Sequence, residues 1–286
     1  MVAKKRITVS DILIYTFLTV FTLTIVLPIY YVVVTSLSTY EEYIKTNGLI
    51  LFPKRISLEG YTSFLSNPAV LKAYVNTAFI TVVGTLINMV LTILMAYPLS
   101  RKDLPGKKFL TIFILIPMVL SGGLIPTYFV VKTTGLVNSI WSMIIPSAIW
   151  SHNLIIMKSF FTTIDESFIE AGKLDGANEW YILIKIILPL SKAVIATLTL
   201  FYGVGHWNEY YAALYYITDS SKDPLQVILR SILAASMNSE ASAELAVNSH
   251  SMKMASVVLS ALPIMVVYPF LQKYFAQGVL LGGIKG

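Results

Sequence analysis

The sequence predicts an all-α, polytopic membrane protein, a single domain with six transmembrane helices over residues 1–286. Of the 286 residues, 56% are apolar and only 13% are charged, whereas about a quarter of the residues in soluble domains are charged. The mean hydropathy of +0.73 points the same way. A charged side chain at the centre of a bilayer costs roughly 2.5–3.5 kcal/mol, so long charge-free stretches mark the spans.

Six charge-free stretches give the positions of the predicted spans. They place transmembrane helices at about 11–36, 73–99, 109–131, 136–157, 190–210 and 254–272. The fifth stretch is the shortest, so we expect that span to use residues on both of its flanks. Prolines inside the spans are compatible with helices, because neighbouring groups can satisfy the freed carbonyl at a kink. These prolines are Pro28, Pro117, Pro146 and Pro263.

Two short basic segments predict the orientation in the membrane. The N-terminus carries Lys4, Lys5 and Arg6, and the loop after the second span carries Arg101, Lys102, Lys107 and Lys108. Both segments should be cytoplasmic by the positive-inside rule, which puts the N- and C-termini of a six-span chain in the cytoplasm. The first apolar stretch is too long for a cleavable signal peptide and lacks a small-residue cleavage site. We attribute the pI near 9.2 to membrane orientation and expect no nucleic-acid partner.

The segment between the fourth and fifth spans, residues 158–189, is charged and carries glycine in an otherwise apolar chain. Asp165 with Glu166 predicts the start of a helix, because a side-chain oxygen satisfies a free N–H group and acidic residues suit the positive end of the helix dipole. We expect this helix to reach Leu174. The rest of the segment then leads into the fifth span.

Asp175-Gly176 is a turn signal after this helix, since glycine accepts the left-handed conformation that ends a helix. We expect a second helix to begin at Ala177. Small residues at Ala171, Gly172, Gly176 and Ala177 leave a low surface around the turn, which permits close approach of another body. Composition alone leaves two interpretations open: a contact with another protein, or an amphipathic hairpin resting on lipid headgroups.

Three groups of residues here follow a known pattern: Glu170-Ala171-Gly172, then Asp175-Gly176-Ala177, then Ile186 with Leu188-Pro189. They resemble the EAA loop of ABC-importer permeases, in which E-A-A is followed after three residues by G and later by I-x-L-P. The sequence departs from the pattern at three positions. Gly172 replaces the second Ala, Leu183 stands where Phe is common, and Ala193 stands where Pro often follows. Residues 158–189 are called the EAA loop below.

The resemblance extends over nearly the whole chain. The stretches 120–139, 205–217 and 268–286 look like the carbohydrate-importer branch, and within it the oligo- and polysaccharide permeases of the lipooligosaccharide-transport type. This resemblance implies the type I ABC importer permease fold and a multi-pass protein of the bacterial cell membrane. It also implies that the chain contributes half of a translocation pathway for a saccharide.

The same resemblance implies the partners and the coupling residues. In that family two homologous permeases form the pore, two cytoplasmic ATPases drive it, and an extracellular or periplasmic binding protein delivers the sugar. ATP and magnesium would then belong to the partner ATPases, and this chain itself would hold no cofactor. The EAA loop would dock into a cleft on an ATPase and transmit its closure. The coupling residues implied are Glu170, Ala171, Gly172, Asp175, Gly176 and Ala177.

A second cluster lies at the outer end of the predicted fifth span. Saccharides present apolar C–H faces and many hydroxyl groups, so their sites combine aromatic rings with amide and carboxylate partners. The cluster has both, but Trp and Tyr are also enriched at membrane interfaces. A sugar path and an interfacial belt or helix packing therefore remain as alternatives. Its residues are Tyr202, His206, Trp207, Asn208, Glu209, Tyr210 and Tyr211.

The sequence gives little support for an enzyme. The glycine-rich 278–286 has Ile284 where a phosphate loop needs Lys, and no helix can follow it. His206 and Glu209 can share a helix face, but two ligands do not make a metal site. We therefore predict no catalytic and no metal-binding residues. A secondary transporter or channel is the alternative function, although such proteins usually carry ionisable residues within their spans.

Overall fold

The computed structural model describes residues 8–120, 122–238 and 243–282. In these ranges the regular structure is helical. Backbone contacts divide the chain into two compact units, one formed by Met1–Pro68 with Leu229–Leu262 and the other by Ala69–Ile228 with Pro263–Gly286. The expectation of one domain over the whole chain stays a prediction.

Three helices in the described part are each long and apolar enough to cross a membrane: Val9–Ser36, Pro68–Ser100, and His250–Phe270 within the longer Ala243–Gly282. Three further candidates are pairs of helices that bend at a short break. These pairs are Lys107–Val119 with Leu124–Thr133 (116°), Ile140–Ser147 with Ser151–Thr163 (46°), and Glu179–Leu190 with Lys192–Trp207 (84°). If each pair is one span, the described chain has up to six, which we number one to six in chain order.

Shorter helices connect the candidate spans. The segment before span six contains the helix Leu225–Asn238. The remaining connecting elements are the α-helices Tyr40–Lys45, Glu59–Leu65, Glu166–Leu174 and Tyr211–Tyr216 and the 3-10 helix Ser220–Lys222. Within the bent pairs, Ile140–Met143 and Ile145–Ser147 are 3-10 helices, and Ile182–Ile187 is a π-helix between the α-helical turns Glu179–Tyr181 and Leu188–Leu190.

Spans three and five bend sharply, by 116° and 84°, and local residues explain both bends. Gly123, directly before the second arm of span three, has φ +81°, a conformation that glycine adopts without steric cost. In span five, Pro189 lacks the N–H group that would continue the helix. Ser191 Oγ then donates to the carbonyl of Ile187 at 2.7 Å, so this carbonyl still has a partner at the bend.

The break in span four leaves backbone groups free, and side chains of spans two and five satisfy them. Asn88 Nδ2 donates to the carbonyl of Ser147 at 2.6 Å, and the Trp150 N–H donates to the Tyr202 hydroxyl at 3.3 Å. Asn88 Oδ1 also lies 2.6 Å from His206 Nε2. Non-helical backbone at membrane depth is tolerated only where it is buried and paired in this way.

The main core of the second unit joins spans two to five with the EAA loop. Ile169 from the EAA loop is 6% exposed and packs in this core, so the loop is anchored to the helices it connects. The buried members are Met89, Ala96, Tyr97, Leu99, Ile114, Leu154, Met157, Phe161, Ile169, Ile182, Leu183, Ile187, Val194, Leu198 and Tyr202.

The first unit has its own polar anchors. Span one begins at a capping box, in which Asp11 N–H donates to Thr8 Oγ1 at 3.3 Å and Thr8 N–H donates to Asp11 Oδ2 at 2.9 Å. The buried carboxylate of Glu42 accepts the Lys54 N–H at 2.9 and 3.1 Å. The first set of bonds caps the start of span one, and the second joins two parts of the segment between spans one and two.

Candidate functional site

The EAA loop contains a short, capped helix, Glu166–Leu174, which we call the EAA helix. The predicted start and end are confirmed. Asp165 Oδ1 accepts the Ser167 N–H at 2.9 Å, and this bond holds the pKa of Asp165 below its ordinary value. The charged cap therefore persists at neutral pH, where it also suits the positive end of the helix.

The turn after the EAA helix depends on a glycine. Gly176 has φ +80°, the left-handed region in which a side chain is strained. A Cβ at Gly176 would meet no heavy atom within 4 Å. The backbone conformation, and not crowding, is therefore what requires glycine here.

The second helix begins at Glu179, so the expected start at Ala177 was wrong by two residues. Asn178 Oδ1 accepts the Tyr181 N–H at 2.8 Å and caps the helix, and asparagine is among the favoured residues at this position. The helix continues through the π-helix Ile182–Ile187 to Leu190 and forms the first arm of span five. The turn is thus covalently continuous with a span.

Gly172 explains one departure from the family pattern. It is buried, and a Cβ there would lie 3.0 Å from Ile186 Cδ1 and 3.4 Å from Ile182 Cγ1. The two isoleucines fill the space that the usual alanine methyl group would occupy. The EAA helix therefore packs closely on the start of span five through Gly172.

The other predicted coupling residues form an exposed concave face. Glu170, Ala171, Asp175 and Gly176 are exposed, and Ala177 is half-buried. All of these except Glu170 line a cavity of about 860 Å³, together with Ser167, Phe168, Gly172, Asn178, Tyr181 and Ile186. Phe168 in this lining is 51% exposed, and Leu174, directly before Asp175 in the chain, is 88% exposed. A surface of small residues with apolar side chains around it is typical of a binding surface for another protein.

One ion pair and one hydrogen bond tie the EAA loop to the end of span two and the residues directly after it, and a second ion pair lies within the loop. Lys102 Nζ lies 2.6 Å from Glu166 Oε2, and this contact lowers the pKa of Glu166. Lys173 Nζ lies 2.9 Å from Glu179 Oε1, and the Tyr97 hydroxyl donates to Glu179 Oε2 at 2.5 Å. The EAA helix is therefore held by polar contacts as well as by Ile169 and Gly172.

Sequence reasoning missed Leu174 and Glu179 as functional candidates. An apolar residue directly before a polar turn is a signal that could have found Leu174. No periodicity relates Glu179 to Lys173, because the turn between them interrupts the helix. Its contact with Tyr97, 82 residues away in sequence, is visible only in the fold.

In the second predicted cluster, Tyr202 and His206 are buried inside the helix packing, at 0% and 2% exposure. The Tyr202 hydroxyl lies 2.7 Å from Thr92 Oγ1, and its ring centroid is 4.8 Å from that of Trp150. The Tyr202 hydroxyl thus bonds to spans two and four, and the His206 ring bonds to span two. Trp207 is also buried, at 8%, with its ring 6.4 Å from that of Tyr74.

Asn208, Glu209 and Tyr210 lie beyond the end of span five, outside this packing. Asn208 is exposed, and its side chain bonds to the carbonyl of Val204 at 2.9 Å. Glu209 Oε1 accepts the Ala212 N–H at 3.0 Å, near the start of the helix Tyr211–Tyr216. Tyr210 is half-buried and its ring contacts that of Tyr211 at 5.2 Å. The predicted cluster is thus two groups with different surroundings.

The chain is similar to permeases of known transport systems. It is 44% identical over 281 residues to the polygalacturonan/rhamnogalacturonan transport system permease protein YtcP of Bacillus subtilis, covering 96% of this chain and 98% of the relative. It is 42% identical over 265 residues to protein LplC of the same organism, covering 91% and 90%. Both alignments run over nearly the full length of each protein.

Among solved structures, the fold matches a chain of a bacterial ABC transporter involved in the import of the acidic polysaccharide alginate. The TM-score is 0.86 at 30% sequence identity, covering 94% of this chain and 99% of the other. This match confirms the expected ABC-importer permease fold. The profile of the family described as binding-protein-dependent transport system inner membrane component matches residues 88–281. The chain therefore belongs to this family of multi-pass membrane permeases, whose role is transport and not catalysis.

Proposed function

We propose that this chain is one permease subunit of an ATP-driven importer and that its EAA loop is the docking site for a cytoplasmic ATPase. The observation that carries the proposal is the exposed concave face around Ala171 and Gly176, with the exposed Leu174 directly before Asp175 in the chain. A permease without a nucleotide site can be driven only if a rigid element carries motion from the ATPase to the spans. The capped EAA helix, anchored at Ile169 and continuous with span five, has that form.

The charges on the exposed face favour a protein partner over lipid headgroups. Glu170 and Asp175 are both exposed on or beside this face. The cytoplasmic leaflet carries a negative surface potential, so these carboxylates oppose an orientation flat on the membrane. A cleft on an ATPase can supply positive partners for them. Differences between the two ATPase states at this contact would then shift the populations of inward- and outward-open permease.

In the proposed assembly the chain pairs with a second, homologous permease, two ATPase subunits and a sugar-binding protein outside the membrane. ATP and magnesium belong to the ATPases. We place the EAA loop and both termini in the cytoplasm, because the loop after span two carries four basic residues and the positive-inside rule puts such loops there. These are Arg101, Lys102, Lys107 and Lys108.

The proposed cargo is an oligo- or polysaccharide. The names of the YtcP relative and of the solved alginate importer both refer to polysaccharides, and both proteins align over more than nine-tenths of this chain. For the substrate path we retain Asn208, Glu209 and Tyr210, which lie beyond the end of span five. We assign Tyr202, His206 and Trp207 to the packing that supports them, because they are buried.

The experiment that tests docking compares two tryptophan substitutions. Ala171→Trp fills the exposed concave face, whereas Thr62→Trp adds the same side chain at an exposed position of the helix Glu59–Leu65. Each variant is co-expressed with its neighbouring transporter subunits, and the recovered ATPase is measured after purification through this chain. We expect Ala171→Trp to lose the ATPase and Thr62→Trp to retain it. Glu170→Lys should weaken recovery as well.

Equal ATPase recovery with Ala171→Trp and with Thr62→Trp would overturn docking at the EAA loop. A second measurement addresses the transport class. Saccharide uptake by the chain alone, driven by an ion gradient without any ATPase, would contradict the importer assignment. Saccharide-stimulated ATP hydrolysis only in the assembled complex would support it.

A further inference from the structure

The Glu179 carboxylate joins two elements that are distant in sequence. Its Oε2 atom accepts the hydrogen bond from the Tyr97 hydroxyl, and its Oε1 atom lies 2.9 Å from Lys173 Nζ. Glu179 is the first residue of span five, Tyr97 lies in the last turn of span two, and Lys173 lies in the last turn of the EAA helix. Three helices therefore meet at one side chain, which we call the Glu179 joint.

The two bonds of the Glu179 joint differ in strength. The side chains of Lys173 and Glu179 are 46% and 53% exposed, and an exposed ion pair alone contributes little. The hydrogen bond from the Tyr97 hydroxyl to Glu179 is held in place more firmly, because Tyr97 is only 8% exposed and packs in the main core. A hydrogen bond to a charged acceptor is also shorter and stronger than a neutral one. The buried tyrosine thus fixes the carboxylate, which in turn positions Lys173.

The Glu179 joint is not packed against other side chains on every side. A cavity of about 400 Å³ lies beside it, lined by Tyr97, Arg101, Glu179 and Trp180 among others. Trp180 is itself 63% exposed. With open space next to Glu179, the hydrogen bonds define where the carboxylate sits. Loss of these bonds should weaken the connection between the EAA helix and span two without collapsing the core, and should leave the exposed Lys102–Glu166 ion pair and the packing of Ile169 in place.

We propose that Glu179 is a positioning residue for energy coupling, which makes the EAA helix and the end of span two move as one body. This inference rests on the proposed function, since it assumes that the ATPase acts on the EAA helix. Without the joint, a displaced EAA helix still pulls span five, to which it is covalently continuous. It carries span two less completely, through the Lys102–Glu166 ion pair and the packing of Ile169 alone, so nucleotide turnover is incompletely converted into rearrangement of the pathway.

The test uses the assembled transporter in lipid nanodiscs and two spin labels in this chain. The chain has no cysteine, so Thr163→Cys, two residues before the Asp165 cap of the EAA helix, and Asp103→Cys after span two give a unique labelled pair outside the concave face. The distance between the labels is measured with and without a non-hydrolysable ATP analogue. We expect one narrow distribution in each state for the parent protein. Glu179→Ala and Tyr97→Phe should each lose the narrow distribution, and the double variant should be no worse than Glu179→Ala.

A second readout is ATP hydrolysis stimulated by the loaded binding protein. Coupling free energies between sites typically correspond to factors of about 5–150, so we expect stimulation to fall about fivefold or more in Glu179→Ala. Glu179→Gln, which keeps an acceptor for Tyr97, should restore part of it. Glu41→Ala, which removes a similarly exposed carboxylate paired with Lys45, should change nothing. The thermal unfolding midpoint should stay the same in these three variants, because solvent in the cavity beside Glu179 can reach the Tyr97 hydroxyl.

Narrow distributions and full stimulation in Glu179→Ala would overturn the proposal. So would a loss of ATPase from the purified complex of that variant, because Glu179 would then be a docking contact. These outcomes are separate from failure of the proposed function. If Ala171→Trp retains the ATPase, docking at the EAA loop is wrong; if it loses the ATPase while Glu179→Ala couples normally, only the joint is wrong.

Discussion

His206 Nε2 in span five lies 2.6 Å from Asn88 Oδ1 in span two, and the amide nitrogen of the same Asn88 donates to the carbonyl of Ser147 in span four. The two residues thus connect three spans at the point where span four is broken. His206 is 2% exposed. His206 belongs to a cluster that suggests a saccharide contact in the sequence, but in the structure it supports the broken helix of span four.

Asn88→Leu should destabilise the chain, because it leaves both the Ser147 carbonyl and the His206 ring without their partner. Losing a partner of a buried polar group costs about 1–3 kcal/mol. The measurement is the thermal unfolding midpoint of the purified chain in detergent. Asn208→Leu, at an exposed amide, serves as the control and should leave the midpoint unchanged. Equal midpoints for both variants would show that the Asn88 bonds are not needed.

Gly205→Ala should also destabilise the chain, through a steric conflict. A Cβ at Gly205 would lie 2.1 Å from Trp150 Cη2, whereas a Cβ at Gly203 on the same helix would lie 3.7 Å from Thr85 Oγ1. Overpacking in a core typically costs about 1–3 kcal/mol. Gly203→Ala is therefore a matched control with an ordinary contact. The prediction fails if the two variants unfold at the same temperature.

Substitutions of Gly176 should rank by backbone conformation. At φ +80° a β-branched residue is strained, and asparagine tolerates this region better than most residues. We therefore expect Gly176→Val to reduce uptake more than Gly176→Asn, although both add a side chain to an open space. The measurement is saccharide uptake in cells at equal amounts of membrane-inserted protein. Equal uptake by both would indicate that the turn does not have to keep its conformation.

Asn208→Ala and Tyr202→Phe should separate the substrate path from its support. Asn208 is exposed, so its change should alter the concentration dependence of uptake and leave the unfolding midpoint unchanged. Tyr202 is fully buried, and Tyr202→Phe removes the hydroxyl that meets Thr92 and the Trp150 N–H. It should lower the midpoint instead. A change of midpoint in Asn208→Ala with no effect on uptake would remove Asn208 from the proposed path.

The sequence predicted the all-α class, the order of the candidate spans and the EAA helix, because charge-free length and capping residues are local signals. Asp165 and the turn at Gly176 lie where they were expected. The sequence did not predict how sharply spans three to five bend at their breaks. The break in span four depends on the side chains of Asn88 and Tyr202, which lie far away in sequence and satisfy the freed backbone groups.

Burial separated residues that look alike in sequence. Tyr202 and Tyr210 are eight positions apart in one aromatic cluster, but one is fully buried and the other lies beyond the end of the span. Span five turns by 84° before this region, and its register against spans two and four decides which faces are covered. No local pattern encodes that register. Only the structure therefore separates the candidates beyond the end of span five from the buried residues that support them.

The most direct test of docking at the EAA loop is cross-linking from Leu174. This side chain is 88% exposed, and the chain has no cysteine, so Leu174→Cys introduces one reactive thiol with little cost to the fold. The assembled transporter is treated with a short heterobifunctional thiol–amine reagent, and the adducts are identified by mass spectrometry. The account predicts an adduct between position 174 and an ATPase subunit, and protection of the thiol from a soluble maleimide. A thiol that reacts as fast in the complex as in the isolated chain, with no ATPase adduct, would contradict it.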